Sequence, residues 1–131
     1  MCMIEDADGR CVVLHDDTRR ARKSHSCYEC GRTIEPGETY NNKGVVLHQD
    51  GRTERTTYKT CAHCCVCCEW LRKQCGGYLF GGVWDDILEH VNEGYGRKLR
   101  GLNNLLWGLR AHWRLSNGTL MKVPRLPEVT A

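Results

Sequence analysis

Ten cysteines stand among 131 residues, and four of them carry the clearest chemistry. Cys27-x-x-Cys30 is followed, 30 residues later, by Cys61-x-x-Cys64. Two such pairs are the ligand set of a structural zinc ion. A two-residue gap lets both thiolates of a pair converge on one ion while backbone amides in the turn donate to the sulfurs. Four sulfurs close the tetrahedron, so no position is left for water or substrate. The cofactor expected is Zn²⁺, in a structural role.

The second pair sits in a denser run, Cys61-Ala62-His63-Cys64-Cys65-Val66-Cys67-Cys68. Cys61/Cys64, Cys64/Cys67 and Cys65/Cys68 all have ligand spacing. Cys61 and Cys64 are favoured because Thr60 can cap a helix there, which then continues into Glu69-Trp70-Leu71-Arg72. On that helix Cys61, Cys64, Cys68 and Cys75 share roughly one face. Cys65 and Cys68, with Cys75 or His63, could complete a second metal site. The bland alternative makes them small apolar residues of a tight core.

The elements that must position these ligands follow from turn and periodicity signals. Cys27 to Arg32 reads as a tight knuckle, and Pro36-Gly37 as a second turn. Val45-Val46-Leu47-His48 and the Thr-rich run 53–60 flank Asp50-Gly51, the signature of a hairpin. A helix over 61–73 stops at Gly76-Gly77. A second helix spans 83–92, with Asp85 and Asp86 in its first turn, where the helix dipole favours acids. A third spans 97–115, with Leu99, Leu102, Leu106, Leu109 and Trp113 as its apolar stripe. Knuckle, hairpin, then a helix carrying the second ligand pair is the order of a treble-clef zinc finger. The expected fold class is α+β, a treble-clef-like module with two further helices. It forms one domain: an acidic segment 1–18, a zinc module 19–75, a helical extension 83–115 and a loose tail 116–131.

Composition supports a stapled fold. The 40% hydrophobic fraction includes the cysteines; without them it drops to about a third, thin for a core of this size. No apolar run approaches the ~20 residues of a membrane span. The N-terminus is acidic where a secretory signal is basic and then apolar. A cytoplasmic chain is expected, where clustered cysteines bind metal in preference to forming disulfides. The formal charge of +3 falls to about +1 once four thiolates and one Zn²⁺ are counted.

The run Arg20-Ala21-Arg22-Lys23-Ser24-His25-Ser26-Cys27-Tyr28-Glu29-Cys30, continued by Ile34-Glu35-Pro36-Gly37-Glu38-Thr39-Tyr40 and Thr60-Cys61-Ala62-His63-Cys64, resembles small zinc-binding proteins of tailed bacteriophages and prophages. It covers roughly residues 19–93. The resemblance implies a phage origin, a host bacterial cytoplasm and zinc ligands at Cys27, Cys30, Cys61 and Cys64. It implies little about activity.

Three function classes remain. The first is a non-enzymatic module that binds or inhibits a host protein complex, including defence systems such as CRISPR. Its contact surface would use Arg100, Trp107, Arg110 and Arg114, since Trp and Arg are favoured interface anchors. The second is nucleic-acid binding through the basic approach Arg19, Arg20, Arg22, Lys23 and His25 together with helix 97–115. The third is a His-metal nuclease using His48, which lacks a partner at convincing spacing. His25, two residues before Cys27, fits better as a donor to the metal-binding sulfurs. The chain is expected to be no enzyme, and to be a monomer or homodimer.

Overall fold

The computed structural model describes residues 9–78, 80–92 and 102–126. Strand β1 (Gly9–Arg20) leads into a short hairpin of β2 (His25–Ser26) and β3 (Thr33–Ile34). Strands β4 (Thr39–Gln49) and β5 (Arg52–Cys61) follow, then helices α1 (Ala62–Cys75), α2 (Val83–Asn92) and α3 (Leu102–Arg110). The larger sheet is antiparallel in the order β1-β4-β5, and β2-β3 forms a sheet of its own. The fold is therefore α+β.

Asp50 and Gly51 take φ values of 52° and 75°, the left-handed pair that a two-residue hairpin turn requires. The register follows from that turn, with Gln49 opposite Arg52 and Tyr40 opposite Cys61. The hairpin therefore delivers Cys61 to a fixed place at the end of β5. β1 is longer than its short apolar run Cys11–His15 suggests. It pairs with β4 along its whole length and absorbs Arg19 and Arg20, with a bulge between Val13 and His15.

The core lies between the sheet end and the helices. Trp70 and Leu71 of α1, Val83 and Ile87 of α2, and Leu102 and Leu105 of α3 are all buried. In α3 the expected stripe residues Leu102 and Leu109 are buried, but between them Leu105 is fully buried and Leu106 only half-buried.

The chain differs from expectation at the end of α3 and beyond it. α3 ends at Arg110, so Trp113 is not on its stripe; residues 97–101 of the expected helix lie outside the described residues. The chain instead makes a sharp turn with His112 at φ 52° and Trp113 at φ 59°. Residues 116–121 are not a loose tail. Arg114 bridges to Leu120, Met121 N donates to Trp113 O at 2.7 Å, and Leu120 and Met121 pack on the core. Among the described residues, no helix is long and apolar enough to cross a membrane.

Candidate metal centre

The first ligand pair is shaped by a knuckle. Gly31 N donates to Cys27 O at 2.9 Å, and Cys27 N donates to Arg32 O at 2.9 Å. Gly31 sits at φ 78°, a left-handed position that glycine takes without strain. Tyr28 N donates to Lys59 O at 2.8 Å, which ties the knuckle to β5 two residues before Cys61.

The second pair sits at the start of α1. The helix N-cap is Cys61, not Thr60: its φ and ψ are −65° and 156°, and its own Sγ accepts from Cys64 N. A ligand thus doubles as the cap, and Thr60 stays in β5. The outcome is one group of four. The Sγ atoms of Cys27, Cys30, Cys61 and Cys64 lie within 4.8 Å of one another. Cys27, Cys61 and Cys64 are fully buried, and Cys30, half-buried as a residue, turns its sulfur into the same cluster.

This donor set fits zinc. Four sulfurs at about 2.3 Å from a central ion stand about 3.8 Å apart along each tetrahedral edge. Cys30 Sγ and Cys61 Sγ are 3.9 Å apart. Three N–H groups already point at the sulfurs: Cys61 N to Cys27 Sγ at 3.3 Å, Cys64 N to Cys61 Sγ at 3.5 Å, and Trp113 Nε1 to Cys64 Sγ at 3.3 Å. Hydrogen bonds from Cys27, Cys30 and Cys64 hold the Cys61 thiol far below its ordinary range, and the same contacts push Cys30 and Cys64 up. The Cys27 thiol is also held below its ordinary range, chiefly by its hydrogen bond to Cys30. A dication would supply the charge that deprotonates the rest.

A buried network surrounds the cluster. The Arg32 side chain is 2% exposed and forms a two-pronged pair with Glu38, at 3.1 and 2.8 Å. Arg32 Nη2 also donates to His63 Nδ1 at 3.2 Å, and His63 Nε2 donates to Met121 O. Burial works against the Arg32 charge, but the Glu38 carboxylate and the Cys61 thiolate outweigh it and raise its pKa. His112 Nδ1 donates to Cys30 O at 2.7 Å. Residues 112–121 therefore close over the cluster through three separate bonds. A Cβ at Gly108 would meet the Trp113 ring at 2.0 Å, so glycine there makes room for the indole. Glu29, between the two knuckle cysteines, accepts from Gly81 N at 2.8 Å and Val83 N at 3.3 Å, linking the knuckle to the start of α2.

The remaining cysteines do not gather at one point. Cys65 Sγ faces Thr60 O at 3.8 Å, and Cys68 faces Tyr78. Cys75 Sγ lies 3.0 Å from His90 Nε2. Among the described residues the group that could hold a metal is the one at 27, 30, 61 and 64, so the proposed second site at Cys65, Cys68 and Cys75 is not assembled. Burial pushes the Cys65 thiol up to about 12 and raises Cys67 and Cys68 as well, which suits neutral core thiols.

The candidate contact residues fall in two places. Arg19, Arg20, Arg22 and Lys23 surround a shallow concavity with His25 and Tyr40. His25 faces Lys59 Nζ at 3.2 Å and the Tyr40 ring, and no contact to a cluster sulfur is formed among its hydrogen bonds. Trp107 is 63% exposed on α3, and the Arg110 guanidinium lies over the Trp84 ring at 5.8 Å. Arg114 donates to Gly118 O, and Arg100 lies outside the described residues. His48 pairs with Thr53 at the exposed end of the hairpin.

Sequence spacing missed Arg32, Glu38, His112 and the sulfur-bonding role of Trp113. None of them carries a local signal; each acts only because the chain folds back on the cluster. No family model, curated protein or solved structure matches the chain. The likeness to phage zinc-binding proteins thus rests on the motif run itself. What the structure gives is a metal-binding module, with zinc as the ion that the four sulfurs fit.

Proposed function

We propose that the chain is a non-enzymatic, zinc-stapled binding module whose partner is a protein or protein complex of a bacterial host. The observation that carries this reading is the closed sulfur set: four cysteines fill a tetrahedral ion and leave no open position for chemistry. The knuckle, the β4–β5 hairpin and α1 support a treble-clef-like arrangement around it. Trp107, exposed on α3, with the Arg110–Trp84 stack on the neighbouring surface, supplies the aromatic and guanidinium groups that anchor protein interfaces. The motif resemblance supplies the phage setting.

The test is affinity capture from a bacterial host lysate, with and without nuclease, comparing the native chain with a Trp107→Ala/Arg110→Ala variant. Nuclease-resistant, salt-tolerant capture of one complex, lost in the variant, is the expected result. A second reading rests on the basic concavity at Arg19–Lys23. Capture that vanishes with nuclease and weakens steeply with salt would favour nucleic acid instead.

A further inference from the structure

A cleft of about 250 Å³ opens between the sheet and α1, and none of the four cluster cysteines lines it. Its walls come from β1, β4, β5 and α1, and include Asp16, Asn41, Lys43, Ala62, Cys65 and Tyr78.

Lys43 is the unusual group. It sits on the central strand, and its side chain is only 9% exposed. An ammonium has three N–H donors. One reaches Tyr78 Oη at 3.2 Å. The nearest carboxylate, Asp16 Oδ2, is 3.7 Å away, and Asp16 Oδ1 is already engaged by Asn41 Nδ2 at 2.6 Å. The Tyr78 and Phe80 rings lie 5.6 and 5.5 Å from Nζ. They stabilise the cation through their faces but accept no conventional hydrogen bond. Lys43 Nζ is thus held by one hydrogen bond, an ion pair and two ring faces, and it borders the cleft, where a ligand oxygen would meet a remaining N–H donor. Thr60 and Ala62, where the chain enters α1, also line the cleft.

We infer that this cleft binds a small monocarboxylate, with the carboxylate on Lys43 Nζ and the Thr60–Ala62 corner. The size limits the ligand, since drug-sized pockets run from about 300 to 1,000 Å³. Charge selects within that size. Asp16 also lines the cleft and disfavours phosphates and other polyanions more than a single carboxylate, while Glu69, likewise in the lining, is paired with Arg72 at 2.8 Å. The walls beyond the carboxylate are Tyr40, Tyr78, Cys65 and Cys68, which suit a short apolar remainder.

The experiment is an NMR titration of the metal-loaded full chain with acetate and propionate, and separately with inorganic phosphate and ATP at matched ionic strength. Saturable shifts at Lys43, Thr60, Ala62 and Tyr78 with the carboxylates are expected. Lys43→Met should weaken binding about ten- to a hundredfold, with zinc content unchanged. Lys43→Arg should keep it. Asp16→Asn, at an exposed position, should tighten acetate about two- to fivefold by removing a competing anion, and this variant keeps the test decisive if Lys43→Met fails to fold. Absence of saturable carboxylate shifts, equal binding by Lys43→Met, tighter binding of phosphate or ATP than of acetate, or no gain in Asp16→Asn would each overturn the assignment.

Discussion

The first turn of α1 and its remaining turns are built with the same residue to opposite ends. At the start, Cys61 and Cys64 meet Cys27 and Cys30, receive N–H bonds from the backbone and from Trp113, and lie beside the Arg32 guanidinium. Further along, Cys67 and Cys68 are buried and Cys65 half-buried, they do not converge on one point, and burial is the largest cause that raises their thiols, even with Asn41 bonded to Cys65 and Tyr78 to Cys68. A cysteine becomes a metal ligand where the fold supplies converging partners and positive charge. Otherwise it is a small apolar side chain that happens to contain sulfur.

The harshest way to test that contrast is Cys61→Ser. Structural zinc in such modules contributes about 10–16 kcal/mol of apparent binding energy, comparable to or larger than the whole stability of a domain. The variant should lose both zinc, by elemental analysis, and its cooperative melt, by circular dichroism. Retention of a full equivalent of zinc would end the assignment of Cys61 as a ligand.

Next in size is Trp113. Trp113→Ala removes a fully buried indole and should cost about 3–5 kcal/mol in denaturant titrations. Trp113→Phe keeps most of the packing and loses the N–H, so its cost should be about 1–2 kcal/mol. Equal losses in the two variants would show that the bond to Cys64 Sγ contributes nothing beyond packing.

Glu38→Gln addresses the charge that sets the first turn apart. Partial burial opposes the Glu38 carboxylate, yet Arg32 holds its pKa below the usual value of 4.5. A lowered carboxylate pKa means stability that is present above pH 4.5 and lost as pH falls through the folded value. Glu38→Gln should destabilise the protein at neutral pH by about 3 kcal/mol, because it strands a buried guanidinium. The gap from the native chain should narrow as pH falls below 4.5. A gap independent of pH would place the effect in packing alone.

The smallest effect belongs to the other cysteines. Cys67→Ala should cost about 1 kcal/mol and leave the zinc content at one equivalent. Loss of metal in that variant would erase the distinction between the two parts of the helix.

Much of this was readable from local pattern. The Asp50-Gly51 turn, the Gly76 stop and the span of α2 depend on neighbours a few residues away, and the CxxC spacing is local chemistry. The register within 61–68 was also recoverable, although the cap is the ligand Cys61 where Thr60 was expected. The end of α3 was not. Its stripe continues through Trp113 in sequence, but the indole is drawn onto Gly108 and Cys64, and that tertiary contact outweighs about 1–2 kcal/mol per residue for holding two left-handed non-glycine residues. Lys43 was invisible for a similar reason: nothing in its neighbourhood on β4 announces that Tyr78 and α1 will bury it.

The turn at His112 and Trp113 has a consequence in time. Its bonds reach back 82 residues to Cys30 and 49 residues to Cys64. Such distant closures form late in folding, because the intervening chain must be ordered first. They are also natural candidates to open early, at less than the cost of global unfolding. Lifting that segment strips the Trp113 N–H from Cys64 and the His112 bond from Cys30. A local opening of residues 111–121 should therefore speed the loss of an ion held by the four sulfurs, and a Trp113→Phe variant should hand zinc to a competing chelator faster than the native chain.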